Sequence, residues 1–533
     1  MAEKIPSTLY AQEVGLHASA SNSEDDVVVV TDHKGTEADQ MDMYRMGKKQ
    51  QMKRIFKLWP MFGFSMILTS SWEGLLGANT IALYNGGVSG AIYMYIICWI
   101  GFLAVYASMA EMASMAPTSG GQYHWVSEFA PAKYQRILSY AVGWASVLGW
   151  QIAVVATAFQ AGTQIQGLLV LNYPSYAFER WHGTLLVIAV VVWDVIFTTI
   201  FHKRLPVIEV ALLVFHTIGF FCVLIPLLVL GDKATHKQVW GTFFDSGWGS
   251  YGTSSLVGIL AGVIPLLGAD AAAHMSEELQ DASKMVPRCM LWSTFSNGLL
   301  GLVMLIVYSY CIGNNFLGVT ETKTGYAYIQ VFYNATHSYA GANAMASIII
   351  IVLIFCSTSI LTATSRQLFA FARDGGFPFG KTLAKINPRL KLPLNSIAFS
   401  FVFSACISLI NIGSTIAFNI INSVGTAALM FSYIICISCL VWCKITNKHL
   451  PPAKFYMRGT VGIMVNVVSL GFLLVVFVFS FFPPVPVGRG LSVVNMNWAC
   501  LLFGAVAIGS VSYYLARGKG RYIGPVKRVQ RLE

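Results

Sequence analysis

Glu73 is the residue of this chain best placed to do chemistry, because it lies near the middle of the apolar run 57–84. If wholly helical, that run would be roughly 42 Å long, enough to cross the ~30 Å hydrocarbon core of a bilayer. A carboxylate at that depth is costly unless it is paired, protonated or facing a water-filled cavity. Its neighbours are Ser70, Ser71, Trp72 and Gly74. We therefore expect Glu73 to contact a solute or a proton.

A second acidic residue, Asp270, follows a weak point in the apolar run that begins at Ser254. Pro265 removes a backbone donor in mid-span, and Gly268 weakens the helix again shortly afterwards. A helix break at membrane depth is tolerated only where the freed backbone groups are buried in protein or line a cavity. Asp270 has two open interpretations: it contacts the solute, or it caps the half-helix that restarts there.

Membrane helices must position these residues, because the composition excludes an ordinary soluble globule. Of 533 residues, 56% are hydrophobic and 11% are charged, and the mean hydropathy is +0.62. Apolar runs of helical length and without strand-like alternation lie near 58–83, 91–115, 137–164, 182–201, 207–230, 254–276, 289–312, 342–370, 394–411, 415–442, 460–483 and 494–516. The sequence thus predicts twelve transmembrane helices. Interrupted first and sixth spans are typical of two inverted five-helix repeats with a midplane site between the breaks.

The basic residues predict that both termini lie in the cytoplasm. Only five of the 35 lysines and arginines fall in segments expected outside, and basic loops are retained inside. This asymmetry explains the net charge of +11, so the expected surroundings are a lipid bilayer and not nucleic acid. We expect a disordered cytoplasmic tail over 1–55, a permease domain over 56–517 and a cytoplasmic C-terminal tail over 518–533.

Few residues suggest modification or metal binding. The strict glycosylation sequon begins at Asn334, in a polar stretch expected outside. The ten cysteines are scattered, mostly inside spans, and Cys436 and Cys439 form a C-x-x-C without partner ligands. We therefore expect neither a disulfide framework nor a metal site. His216 and His274 are interpreted as satisfied core histidines, with proton relays as the alternative, and Asp194 as a buried structural pair or hydrogen-bond acceptor.

Three stretches carry a resemblance to a known family. They are YASMAEMASMAP at 106–117 with SGGQY at 119–123, MSEE at 275–278 with VPR at 286–288, and SR at 365–366 with FARDGGFP at 371–378 and PLN at 393–395. In this order and spacing they resemble the amino acid–polyamine–organocation superfamily, and within it the fungal amino acid/choline permeases. The resemblance covers about residues 55–517. It implies the all-α leucine-transporter fold, with 5+5 inverted repeats, two further helices, and the substrate between residues 70–74 and 264–270.

The sequence departs from this family at the first helix. Amino-acid members usually present a small Gly/Ser-rich loop there for the substrate carboxylate, where this chain has Trp72 and Glu73. An ionised Glu73 would repel such a carboxylate. Two roles remain open for Glu73: it pairs with an ammonium or quaternary ammonium group, helped by a cation–π face of Trp72, or it carries the coupling proton.

Further residues are candidates for gating and ion coupling. Charged residues at the expected cytoplasmic ends could pair and latch an inside gate; they are Glu111, Glu277, Glu278, Arg366 and Arg373. The hydroxyls of Ser357 and Thr358 could hold Na⁺ against carbonyls of the broken first helix. The resemblance implies H⁺ as the coupling ion instead, and no other cofactor is expected.

The sequence therefore predicts a secondary active permease that imports a small nitrogenous solute such as GABA, choline, an amino acid or a polyamine. An exporter, a vacuolar transporter of a nitrogenous metabolite and a transport-inactive nutrient sensor are the alternatives. An enzyme is not expected, because the loops contain neither a nucleophile–base set nor a metal cluster. The plasma membrane is the expected location, with the vacuolar membrane as the alternative.

Overall fold

The protein is described by a computed structural model over residues 35–312, 316–483, 496–527 and 529. Within these residues there is no β-strand, and the isolated bridge joins Phe56 to Leu279. Ten helices are long and apolar enough to cross a membrane, or eleven if the bent pair Tyr251–Val257 and Leu260–His274 forms one span. The fold is therefore all-α and of the membrane class, as predicted.

The helices follow one another in this order: α1 Glu37–Arg45, α2 Leu58–Thr69, α3 Ser71–Tyr84, α4 Gly87–Met115, α5 Gln122–Phe129, α6 Gln135–Asn172, α7 Arg180–Ile200, α8 Leu205–Leu230, α9 His236–Gly241, α10 Tyr251–Val257, α11 Leu260–Val263, α12 Ala271–His274, α13 Ala282–Cys311, α14 Phe316–Thr320, α15 Ala327–Thr336, α16 Tyr339–Arg373, α17 Gly380–Leu383, α18 Leu394–Ser408, α19 Ile410–Gly413, α20 Thr415–Ile445, α21 Gly459–Phe479, α22 Ala499–Tyr513 and α23 Lys519–Arg521. Short 3₁₀ turns lie at 202–204, 264–266, 276–278 and 525–527. The long helices coincide with the predicted apolar runs.

The first predicted span is split at Ser70, between α2 and α3. Ser70 has φ 35° and ψ 53°, in the left-handed region that residues other than glycine adopt uncommonly. Its hydroxyl donates to the carbonyl oxygen of Ile67, which satisfies a backbone group that the break leaves free. Each half is too short to cross a membrane alone, so a total of twelve spans stays a prediction.

The sixth predicted span is interrupted where Pro265 and Gly268 predict a break. Pro265 lies in the 3₁₀ turn Ile264–Leu266, and Leu267 is extended with ψ 138°. Gly268 has φ 110°, a conformation that side chains with a Cβ rarely adopt, and α12 follows it. Both predicted breaks are thus present within the described residues.

The segment 35–55 differs from the expected disordered tail, because it folds against the bundle; residues 1–34 lie outside the described residues. Helix α1 begins with a capping box between Thr36 and Asp39. The Asp39 carboxylate also accepts hydrogen bonds from the backbone N–H groups of Asp281 (2.9 Å) and Ala282 (3.0 Å), where α13 begins. A polar segment can be ordered in this way because free N–H groups at a helix start need acceptors. We call the surface of the bundle that residues 35–56 cover the N-terminal face.

The expected C-terminal tail also contacts the bundle. Tyr522 is fully buried, and its hydroxyl lies 2.5 Å from the hydroxyl of Ser139 on α6. The Nε of Arg136 donates to the carbonyl oxygen of Tyr522 at 3.0 Å. Residues 528 and 530–533 lie outside the described residues.

The polar stretch before α16 contains helical structure. The sequon residue Asn334 lies in α15, and its Oδ1 accepts a hydrogen bond of 2.8 Å from Nε2 of Gln330 one turn earlier. Glycosylation of Asn334 stays a prediction.

Candidate functional site

The two helix breaks lie against each other. The hydroxyl of Ser71 donates to the carbonyl oxygen of Pro265 at 2.7 Å. A Cβ added to Gly74 would lie 3.4 Å from the Cβ of Pro265, so the two segments are in contact at this point. Gln160 of α6 donates to the carbonyl oxygen of Gly74 at 3.1 Å. The fold therefore brings together two segments that are almost 200 positions apart in the sequence.

Glu73 is fully buried beside this contact and is paired with a residue that sequence reasoning treated as structural. Its Oε1 lies 2.7 Å from Nδ1 of His216 on α8, and His216 is fully buried too. The ring of Trp72 lies 6.0 Å from the His216 ring and 6.0 Å from the ring of Phe220, measured between centroids. Spacing could not reveal the pair, because 143 positions separate its members. The available signal was a histidine in an apolar run.

Polar atoms around Glu73 lack hydrogen-bond partners within the described residues. These atoms are Glu73 Oε2, His216 Nε2, Trp72 Nε1, and both amide atoms of Gln164. Gln164 belongs to the same region, because a Cβ added to Gly77 of α3 would lie 2.5 Å from its Nε2. Buried polar groups are normally hydrogen-bonded. This concentration of open donors and acceptors therefore marks a place where a polar ligand could bind.

Asp270 lies outside this group of open atoms, because both of its carboxylate oxygens are occupied. Oδ2 accepts from Nε2 of Gln122 at 2.5 Å, and Oδ1 accepts from the hydroxyl of Tyr433 at 2.6 Å. Asp270 occupies the N-cap position of α12, but its side chain makes no capping hydrogen bond. The hydroxyl of Tyr106 instead accepts from the Gly268 N–H at 2.8 Å. The structure thus connects Asp270 to α5 and α20 and not to Glu73.

Ser357 and Thr358 do not face the broken first helix as the ion-coupling hypothesis required. Their hydroxyls donate to Oδ2 and Oδ1 of Asp194 on α7, at 2.5 and 2.7 Å. Cys356 of α16 does contact the first helix, because its Sγ lies 2.9 Å from the carbonyl oxygen of Leu68. Asp194 is thus a buried hydrogen-bond acceptor, as the sequence suggested.

Ion pairs join the helices at the N-terminal face. Arg373 binds both oxygens of Glu277, at 2.8 and 3.0 Å. Arg366 binds Glu278 at 2.8 Å. Glu111 pairs with Lys444 of α20 at 2.7 Å and not with either arginine. Two of the predicted acids thus pair with the predicted arginines, and Glu111 ties α4 to α20 separately. The role of the two arginine pairs as the latch of an inside gate stays a prediction.

The segment 35–56 strengthens this latch through residues that the sequence did not single out. Nη1 of Arg54 donates to the carbonyl oxygens of Ser276, at 2.7 Å, and of Leu279. Burial opposes the ionisation of Glu277, but Arg373, Lys48 and Arg54 outweigh it and lower the pKa of that carboxyl to about 2. Glu277 is thus ionised at every physiological pH.

Comparison with known proteins decides the family. Residues 56–506 match the sequence model of the family described as "Amino acid permease". The chain belongs to this family. The permease thereby falls in the amino acid–polyamine–organocation superfamily that its motifs resemble.

Within the described residues, no cluster of three or more His, Cys, Asp or Glu side chains could hold a metal ion.

Relatives of the permease carry transporter names. A protein of Macrophomina phaseolina (strain MS6), described provisionally as an amino acid/polyamine transporter, is 33% identical over 82% of this chain and 96% of its own. The choline transporter of Saccharomyces cerevisiae is 26% identical over 88% of this chain and 83% of its own. Amino-acid permease BAT1 of Arabidopsis thaliana is 26% identical over 92% of this chain and 96% of its own. The permease is a multi-pass membrane protein of the amino acid/choline transporter type.

Proposed function

We propose that this permease is a proton-coupled importer of a small nitrogenous solute, with Glu73 as the group that holds the solute's cationic nitrogen. The observation that carries this proposal is the free Oε2 of a fully buried Glu73, at the contact between the two helix breaks. The relatives' names, which include choline, amino acids and polyamines, support a solute with a cationic nitrogen. The proposed location is the plasma membrane.

The chemistry around Glu73 suits a cation. Charge-assisted hydrogen bonds to a carboxylate are about twice as strong as neutral ones. Within the described residues, the ion pair of Glu73 is with His216, and neither lysine nor arginine competes for its second oxygen. The Trp72 ring, which lies beside His216, supplies a π face for an ammonium or quaternary ammonium group. GABA, choline, amino acids and polyamines all carry such a group.

Transport by alternating access requires the latch at the N-terminal face to open. In this conformation Glu73 is fully buried, and Glu277–Arg373 and Glu278–Arg366 tie the turn after α12 to α16. Separation of these pairs would give the solute a route to the N-terminal face, as in other hinge and shear transitions. The proposed cycle therefore binds the solute at Glu73 from the opposite face and releases it through the opened latch.

Uptake of labelled GABA and choline tests this function. The host is a yeast strain without its own permeases for these solutes, assayed at external pH 5 and 7.5 with and without a protonophore. Glu73→Gln keeps the shape of the side chain but removes its charge, so uptake should fall by about tenfold or more, the worth of a hydrogen bond to a charged group. Glu179→Gln, an exposed change at the start of α7, is the matched control.

The outcomes separate cleanly. GABA uptake that is faster at pH 5, collapses with the protonophore and is lost in Glu73→Gln alone supports the proposal. Unchanged uptake kinetics in Glu73→Gln, with the variant at the cell surface, would contradict the role of Glu73. No uptake by the unaltered protein at the surface would contradict import and direct attention to export or sensing.

A further inference from the structure

The Glu73–His216 pair uses only half of its hydrogen-bonding capacity. Oε1 of Glu73 and Nδ1 of His216 face each other at 2.7 Å. Oε2 of Glu73 and Nε2 of His216 have no partner within the described residues, although both side chains are fully buried. One carboxylate oxygen and one imidazole nitrogen are thus left open side by side.

The chemistry of imidazole determines what these open atoms offer. An ionised carboxylate can only accept hydrogen bonds, so Nδ1 of His216 carries the hydrogen that points to Glu73. In a neutral imidazole the other nitrogen, Nε2, is then an acceptor. In a protonated imidazole Nε2 is a donor. A single proton therefore changes the open pair from two acceptors with a net negative charge to one acceptor and one donor with no net charge.

We propose that the protonation of His216 selects the class of solute that the site takes, which rests on the function proposed for Glu73. With a neutral imidazole the pair has a net negative charge and favours a cation without a carboxylate, because both open atoms are hydrogen-bond acceptors. The protonated pair fits a zwitterion, whose ammonium group meets Oε2 of Glu73 and whose carboxylate meets the N–H at Nε2. A zwitterion then brings a proton into the site, and a simple cation does not.

A second histidine–glutamate pair shows why the open atoms matter. Nε2 of His124 lies 2.8 Å from Oε1 of Glu128 on the N-terminal face. There, however, Arg45 occupies the other carboxylate oxygen at 3.3 Å. Burial and the nearby Lys48 lower the pKa of His124, against the opposing effect of Glu128. The carboxylate of this pair is neutralised by a permanent cation and has no oxygen free for a ligand.

Permanent cations are kept at a distance from His216. The helices packed against α8 and α3 carry tyrosine and cysteine groups: Tyr308 of α13, Tyr328 and Tyr333 of α15, and Cys356 of α16. The nearby carboxyl groups are Glu209 of α8 itself and Asp194 of α7, which interact with Cys356. The lysines and arginines of α13 and α16 lie near the ends of those helices, and two more precede α8: Lys284, Arg288, Arg366, Arg373, Lys203 and Arg204. Helix α2 carries no titratable side chain. The proton that neutralises Glu73 is therefore carried by the pair itself.

The ratio of zwitterion uptake to cation uptake tests this inference. Labelled GABA and choline are compared at external pH 5 and 7.5, and their ratio does not depend on the amount of protein at the surface. Protonation of an imidazole increases as the pH falls. We therefore expect the GABA-to-choline ratio to be higher at pH 5 than at pH 7.5.

Two histidine variants distinguish an effect of His216 protonation from a purely structural effect of the substitution. His216→Asn keeps an N–H near the position of Nδ1 but does not titrate, so its ratio should be the same at both pH values. His124→Asn is the matched control and should retain the full rise. A ratio in His216→Asn that still rises like that of the unaltered protein would overturn the inference while leaving the proposed function intact. Absence of uptake of either solute by the unaltered protein would overturn the proposed function and the inference with it.

A second measurement needs no variant. Purified protein in weakly buffered detergent at pH 7 is mixed with GABA or with choline, and the pH change on binding is recorded. GABA should withdraw protons from solution, and choline should withdraw none. Equal proton uptake with the two solutes would overturn the inference.

Discussion

Glu73 and Glu277 are both fully buried carboxylates, but their surroundings differ in one respect. Glu277 accepts two hydrogen bonds from Arg373 and lies near two further cations, Lys48 and Arg54. Glu73 has His216, whose charge depends on a proton, and keeps one oxygen free. A carboxylate with permanent cations around it holds helices together, whereas one that keeps an oxygen free can bind a ligand. Under the proposed function, this contrast separates the latch of the permease from its binding site.

Removing the carboxylate at the N-terminal face should have the largest effect on stability. Glu277→Gln leaves the Arg373 guanidinium buried without its carboxylate partner, a change that typically costs about 3–5 kcal/mol. We expect a clearly lower melting temperature of the purified protein. Glu73→Gln should lower it far less, because no arginine or lysine loses a partner there. Equal melting temperatures for the unaltered protein and Glu277→Gln would contradict the assigned role of the latch.

The helix cap supplied by the N-terminal segment should have an intermediate effect. Asp39→Ala removes the acceptor for the N–H groups of Asp281 and Ala282, and loss of such a cap costs about 0.5–2 kcal/mol. Proteolysis of residues 35–55 in the purified protein should then become faster. Glu37→Gln changes an exposed acid on the same helix and is the matched control. Equal proteolysis rates for both variants would argue against docking through Asp39.

The hydrogen bond between the two breaks should have a smaller effect, visible in transport. Ser71→Ala removes the donor to the Pro265 carbonyl oxygen, worth about 0.5–1.5 kcal/mol. The KM for uptake should rise by about 2- to 10-fold, because the two segments that hold the site lose a direct contact. Ser65→Ala, whose hydroxyl bonds to the Met61 carbonyl within its own helix, is the control. The same KM change in both variants would contradict the specific role of Ser71.

The pH dependence of the latch should be the smallest effect. The pKa of Glu277 is lowered from 4.5 to about 2, so its stabilising contribution is complete above pH 4.5 and is lost as the pH falls through 2. The difference in melting temperature between the unaltered protein and Glu277→Gln should therefore stay constant from pH 5 to 8, measured at fixed salt. A difference that shrinks within this range would show that Glu277 titrates there, and the contrast with His216 would fail.

Sequence reasoning succeeded where the cause of structure is local. Pro265 and Gly268 limit the backbone wherever they occur, so the break in the sixth span could be predicted from residue type. The depth of Glu73 followed from the length of the apolar run around it. The ion pairs of Glu277 and Glu278 with arginines were anticipated because their family motifs lie at matching helix ends.

Sequence reasoning failed where a side chain could bind several partners. The pairing of His216 with Glu73 was not anticipated, and Ser357 and Thr358 were assigned to an ion site although they bind Asp194. Residues 35–55 were expected to be disordered because they are polar, yet Asp39 finds the free N–H groups at the start of α13. The polarity of a side chain indicates that it needs a hydrogen-bond or ion-pair partner, but it does not indicate which residue that partner is.

The sequence by itself determined the membrane class, the family, the two weak points in the first and sixth spans, and the presence of a carboxylate at depth. These properties follow from hydropathy, backbone chemistry and motif order, which depend only on the residue types and their order in the chain. Only the tertiary structure decided that the two breaks touch, that His216 is the partner of Glu73, and that permanent cations surround Glu277 but not Glu73. Such facts depend on which helix faces are in contact, because electrostatic and hydrogen-bond energies depend on distances in space and not on separation along the chain.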